Sequence, residues 1–260
     1  MKSYNCFKDC LKDLLPLFEE LQKTYFAHLS RDKSENESLF EHSELVADYC
    51  LKLIEAHGLE KVFNATIDKL IQSLPVTNEE KFGNLFKEVF LAAIVYHDLG
   101  KVNPNFQVLK MENDLFIQNK KLSFQSNHSL LGAYLFSNIF FKRTFEKEIS
   151  DDEKLILYFT VLLFAGAIVK HHNPTINLSL DFDIQQLDDC YPFLETYRIF
   201  LEESFCSSFY QGANDIFSEF RNLVDRQEVY FDLFASTKLL YSLLTASDFY
   251  ATNEFMSKVK

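Results

Sequence analysis

The sequence predicts an all-α protein folded as one domain, and three observations carry that expectation. Gly and Pro number only 6 and 5 in 260 residues, too few for the many tight turns of an all-β fold. Apolar residues recur at helical spacing between Glu- and Lys-rich stretches. Hydrophobic residues make up 47% of the chain, with 28 Phe and no Trp, which supplies a large core and excludes a disordered chain. No 20–50-residue repeat and no Ser/Gly-rich linker divides the sequence.

The elements follow in order. The polar stretch 30–38, SRDKSENES, reads as a loop before a helix. Residues 39–57 have helical period and stop at Gly58; His42, Val46, Tyr49 and Leu53 form one stripe, so His42 points where core residues point. A second helix runs through KEVFLAAIVYHD to about Asp98, with Gly100 as its stop. KVNPNFQ reads as a loop because Pro104 disfavours helix. A third helix starts near Asn127, with His128, Leu131, Leu135 and Ile139 on one face.

The apolar run 155–169 is fifteen residues, short of the roughly 20 needed to span a bilayer. It therefore predicts a helix over 155–170 buried on all sides, entering His171-His172 and broken by Asn173-Pro174. Residues 175–191 are mixed and loop-rich. The last helices are expected at about 191–207 and 231–251, the latter placing Asp248 on the Leu240 and Leu244 stripe. Any strand is minor. The N-terminus lacks the apolar core of a signal peptide.

The net charge of −12 repels polyanions and gives no support for nonspecific nucleic-acid binding. A local site remains compatible with it if metal cations supply the positive charge. The five Cys are scattered, odd in number and form no C-x-x-C, so they read as reduced, mostly buried thiols of a cytoplasmic protein.

Five of the seven His (His42, His97, His128, His171 and His172) occupy inward stripes or the ends of apolar helices, as do Asp98 and Asp248. Two carboxylates buried among imidazoles are costly unless a cation binds them, and this donor set suits Mn, Fe, Co, Ni and Zn. Each residue taken alone has a plainer account. A single His on an apolar stripe is commonly a hydrogen-bonded core residue. The His171-His172 pair could favour a helix C-terminus, and Asp248 could pair with a Lys. His57 beside Gly58 reads as a helix end, and His28 belongs to no motif.

The order H … HD … H … HH … D resembles the HD phosphohydrolase superfamily. More narrowly, it resembles the HD nuclease domain of the type I CRISPR-associated helicase-nuclease. HDLGKVNPNFQ is similar to that family's HD-x-GK loop ending in Phe-Gln, and His128 opens a helix thirty residues after Asp98. His171-His172 follow an apolar helix, and TASDFYAT around Asp248 resembles the closing helix. The resemblance covers about residues 40–252 of an HD domain taken as 1–260. Asn127-His128-Ser129 departs from the family's charged triplet, and Asn173 stands where Gly is usual.

The resemblance implies two divalent transition metal ions (Mn, Fe, Co or Ni rather than Mg). One would be held by His42, His97, Asp98 and Asp248, the other by Asp98, His128, His171 and His172, with Asp98 bridging. Lys101 would neutralise a phosphate oxygen or, on the plainer account, a helix terminus. The implied activity is metal-dependent hydrolysis of single-stranded DNA, endo- or exonucleolytic, in CRISPR interference. The partners would be a superfamily 2 helicase and the CRISPR surveillance complex, with no membrane. The chain has no G-x-x-x-x-G-K-[ST] motif and is expected to be a separate subunit or one domain of a larger protein. The alternatives are an HD phosphohydrolase of small nucleotides and a non-catalytic helical module.

Overall fold

A computed structural model describes residues 4–16, 24–172, 185–198 and 208–258. In chain order the elements are α1 (Phe7–Lys12), β1 (Phe26–Leu29), β2 (Asn36–Ser38), α2 (Leu39–Ala56), α3 (Leu59–Ser73) and α4 (Glu79–Val95). A 3₁₀ turn, Leu99–Val102, leads to α5 (Pro104–Met111), α6 (His128–Phe145), α7 (Asp151–Lys170), α8 (Gln185–Asp188), α9 (Tyr191–Tyr197), α10 (Phe209–Leu223) and α11 (Gln227–Lys258). The all-α expectation holds, with β1 and β2 forming a small antiparallel hairpin. No helix among the described residues is long and apolar enough to cross a membrane.

α7 lies at the centre, packed against α4, α6, α10 and α11. It buries Ile156, Leu157, Phe159, Val161, Leu162, Phe164 and Ile168, matching the expectation of a helix covered all round. Phe is the main packing material. Phe63 lies against Phe7, Phe86 and Phe90 with ring centroids 5.3, 5.7 and 4.3 Å away, and Phe164 closes the cluster on Phe86 and Phe90. Each such pair adds about 0.5–1.5 kcal/mol beyond the area it buries. Cys6, Cys10, Cys50 and Cys190 are free thiols, the last three buried; Cys206 lies outside the described residues.

Several boundaries differ from the sequence expectation. Residues 36–38 are strand rather than loop, because they pair with β1 before Ser38 caps α2. α4 ends at Val95, and His97-Asp98 sit in the turn beyond it. Pro104 begins a helix instead of preventing one, because it occupies the first turn, where its missing N–H is not needed. α7 starts at Asp151, where Ser150 and Glu153 form a reciprocal capping box. α11 is longer than expected, at 32 residues. Of the expected helix 191–207, the part to Tyr197 is observed and 199–207 lies outside the described residues, as does the Asn173-Pro174 break. α3 and α10 were not assigned from the sequence, although Phe63, Ile67, Leu70 and Ile71 recur at helical spacing on α3.

Gly100 matters for close approach rather than as a helix stop. A Cβ there would sit 1.9 Å from the His128 carbonyl oxygen and 2.4 Å from the Gly132 nitrogen, and one on Gly132 would sit 2.7 Å from the His97 carbonyl oxygen. α6 is therefore pressed directly onto the HD turn. Gly100→Ala must push backbone away from backbone, and is expected to cost about 3 kcal/mol or more. Chemical denaturation of the chelator-treated protein measures this, and an unchanged midpoint would contradict the contact.

Candidate metal centre

Five segments converge on one point. Ser38 caps α2 through a reciprocal capping box with Glu41, which starts the helix so that His42, in its first turn, faces inward. The turn after α4 carries His97 and Asp98. Asn127 caps α6 by accepting from the Leu130 N–H, which presents His128 at the helix start. His171, the C-cap of α7, and His172 follow that helix directly, and Asp248 comes from α11.

The seven residues singled out in the sequence lie together as two groups that share Asp98. In one, His42 Nε2 is 3.3 Å from both Asp98 Oδ2 and Asp248 Oδ1; His97 Nε2 is 3.4 Å from Asp98 Oδ2 and 3.8 Å from Asp248 Oδ1. In the other, Asp98 Oδ1 is 3.5 Å from His128 Nε2 and 3.8 Å from His171 Nε2, while the Nε2 atoms of His128 and His172 are 2.9 Å apart. Within each group the potential ligand atoms all lie within 4.8 Å of one another. The two oxygens of Asp98 thus face different imidazole clusters.

These residues fit divalent ions on three counts. Donors bound at about 2.1 Å around one ion stand about 3.0 Å apart along an octahedral edge and about 3.4 Å along a tetrahedral one, close to several of the spacings above. Nε2 of His42, His97 and His171 and Oδ1 of Asp98 are buried yet make no hydrogen bond, an expensive condition that a cation relieves. The tautomers also suit ligation. His97 Nδ1 donates to the Ile94 carbonyl at 2.8 Å and His171 Nδ1 to the Ile168 carbonyl at 2.6 Å, so each Nε2 keeps its lone pair for the centre. His42, His97, Asp98 and His171 are buried, whereas His172 is exposed and Asp248 and His128 are partly open. The centre is therefore closed on one side and accessible on the other.

Lys101 lies buried beside Asp98. Its side chain is only 4% exposed, and its ammonium sits 2.6 Å from Asp98 Oδ2 and 3.2 Å from His28 Nε2. The 3₁₀ turn points it inward, toward the centre. Sequence reasoning also passed over His28 and Glu37. The hairpin pairs them across the strands, and His28 Nδ1 donates to Glu37 Oε2 at 2.7 Å. By sequence Glu37 falls in the polar stretch 30–38 that reads as a loop, and strand pairing buries it. His57, also set aside, has no place in either group.

The motif after the HD pair holds the surrounding backbone. Gln107 accepts from the Phe26 N–H and donates to the Phe26 and Lys101 carbonyls. Asn105 donates to the Asn119 carbonyl and accepts from its N–H, and Asn103 donates to the Gln125 carbonyl. Asn103 and Asn105 thus satisfy part of the irregular segment between α5 and α6, which has no secondary structure to do so, while Gln107 ties β1 to the 3₁₀ turn.

Charge follows the geometry. Burial opposes ionisation of Asp98, but His97, Lys101 and His42 hold its carboxyl well below the usual range. Asp248 is likewise held low, against burial, by His42 and His97. Glu37 is held at about 2 by His28 and His42, again against burial. Burial and Lys101 push His28 down to about 4, and burial and His97 push His171 down to about 3. His128 is pushed well below its ordinary value by burial, aided by Lys101.

Unfolded, these rings titrate near pH 6.5. Below that value the unfolded chain binds protons that the folded chain refuses, so their contribution to stability is present above about pH 6.5 and is lost on acidification toward the folded values. His42 has the opposite sign. Despite burial, Asp248, Asp98 and Glu37 hold it up at about 10, so its contribution is full below about 6.5 and is lost as the pH rises through 10. His172 is lowered by burial as well, so four depressed rings oppose one. Between about pH 7.5 and about pH 5, His28 and His171 should each cost the metal-free chain roughly 2 kcal/mol, with His128 and His172 acting in the same direction and His42 offsetting part. Denaturant midpoints across that range test the sum, and a flat profile contradicts it.

Comparison with known proteins supplies the family. No curated protein and no solved structure gives a match. The family model described as "Cas3, HD domain" matches residues 28–245, a span that includes all but one of the seven clustered residues, Asp248 lying three residues beyond it. Set on an all-α fold with a shared HD aspartate at its centre, that match shows that the chain belongs to the Cas3 HD domain family of CRISPR-associated nucleases.

Proposed function

We propose that the chain is a two-metal nuclease that hydrolyses phosphodiester bonds of single-stranded DNA during CRISPR interference. It would act in the cytoplasm beside a superfamily 2 helicase and the surveillance complex. The observation that carries this reading is the placement of Asp98, one oxygen toward His42, His97 and Asp248 and the other toward His128, His171 and His172. A shared carboxylate between two nitrogen-rich groups suits a pair of transition metal ions, which supply activation of a water and stabilisation of the leaving oxygen.

The chain's own residues do the rest. His97 and His171 are locked with Nε2 toward the centre, and the partly exposed rim of His128, His172 and Asp248 admits the phosphodiester. Lys101 orients Asp98 and balances its charge. The net charge of −12 weakens any hold on duplex backbone, whereas a single strand can enter a narrow site and stack its bases on exposed aromatics such as Phe249 and Tyr250.

The test is a digest with Mn²⁺ of circular single-stranded DNA, relaxed duplex, deoxynucleoside triphosphates and cyclic nucleotides. Cleavage of the single-stranded circle, with duplex at least tenfold slower, is the expected result. Efficient cutting of relaxed duplex would overturn the substrate assignment. Turnover of the nucleotides alone would favour a small-nucleotide phosphohydrolase.

A further inference from the structure

We propose that the β1–β2 hairpin is a brace for the metal centre, with His28 and Glu37 as positioning residues that act through Lys101 on Asp98. The inference rests on the two-metal reading above. His28 and Glu37 face each other across the strands. Glu37 Oε2 can only accept, so the 2.7 Å contact places the proton on His28 Nδ1. His28 Nε2 then carries a lone pair, and the Lys101 ammonium donates to it at 3.2 Å. The same ammonium lies 2.6 Å from Asp98 Oδ2. The chain of contacts therefore has one direction, Lys101 to His28 to Glu37, and its other end grips the oxygen that faces His42, His97 and Asp248.

Glu37 Oε2 also lies 3.2 Å from Nδ1 of His42. That contact is too bent to be a hydrogen bond, yet an anion there favours a proton on Nδ1, so that the proton given up when an ion binds is the one on Nε2. Glu37 and Lys101 are buried, at 5% and 3% exposure, so neither charge is a surface accident. Gln107 keeps the two parts in register, because its amide pairs with both backbone groups of Phe26 on β1 and with the Lys101 carbonyl. The brace touches Oδ2 of Asp98 and the far nitrogen of His42, both in the first group. Of the second group it reaches only the shared Asp98, by the oxygen that faces the first group, and none of His128, His171 and His172.

That asymmetry is the test. Mn²⁺ is titrated calorimetrically into the chelator-treated full chain, with the two binding steps assigned by His128→Ala and Asp248→Ala. His28→Ala and Glu37→Ala should each weaken the first-group ion by about ten- to a hundredfold and leave the other within about threefold. Glu37→Gln keeps an acceptor for His28 and should recover most of the lost affinity. Unchanged first-group affinity in both alanine variants overturns the brace. Equal weakening of both ions overturns it too, since that is what a purely structural hairpin would do. Wild-type protein that binds no Mn²⁺ sinks the two-metal reading itself, a result separate from either of these.

Discussion

Replacing Asp98 by alanine is expected to remove both metal ions and to lower single-strand cleavage by roughly a thousandfold or more. Among the described residues it alone belongs to both groups, because its Oδ2 lies by His42 and His97 and its Oδ1 by His128 and His171. His128→Ala should spare the His42 ion and weaken the other, and Asp248→Ala should do the reverse. Alanine at 98 also leaves the buried Lys101 ammonium without its carboxylate, a folding cost of several kcal/mol. Asp98→Asn separates the two effects, since it keeps the shape and an acceptor for Lys101. It should fold like the wild type and still cleave poorly. Metal stoichiometry and cleavage rate measured on all four variants decide the matter. Two ions retained in Asp98→Ala would show that the aspartate is not shared.

Removal of the metals should have an effect as large. A chelator-treated chain is expected to show no cleavage above background. Mn²⁺, Co²⁺, Ni²⁺ or Fe²⁺ should restore it, and Mg²⁺ alone should restore at most about a tenth. The reason is the donor set, five imidazoles against two carboxylates; Mg²⁺ holds water and oxygen ligands and binds nitrogen poorly. Ion binding should also stabilise the fold, by about 2.7 kcal/mol per site at a hundred times the dissociation constant, because it relieves buried donors that lack partners. Thermal melts with and without Mn²⁺ read this independently of cleavage. Full activity in Mg²⁺ freed of transition metals would mean that the nitrogen-rich groups are not the catalytic centre.

Much of this was legible before any fold was known. Scarce Gly and Pro with 3–4 spacing of apolar residues sufficed for the helices, and the stripes of α2, α6 and α11 placed His42, His128 and Asp248 on inward faces because helical periodicity is a local property. His97-Asp98 and His171-His172 stood out for the same reason, as charged or polar residues ending apolar runs. What the sequence did not contain was the meeting of these faces. The hairpin partnership of His28 with Glu37, the inward turn of Lys101 and the division of Asp98's two oxygens between two groups depend on strand pairing and on backbone pressed against backbone at Gly100 and Gly132. Such contacts join residues far apart in the chain, and their energies come from burial and pairing in three dimensions. Local spacing named the ligand types; only tertiary packing decided which atoms face one another and which charges brace them.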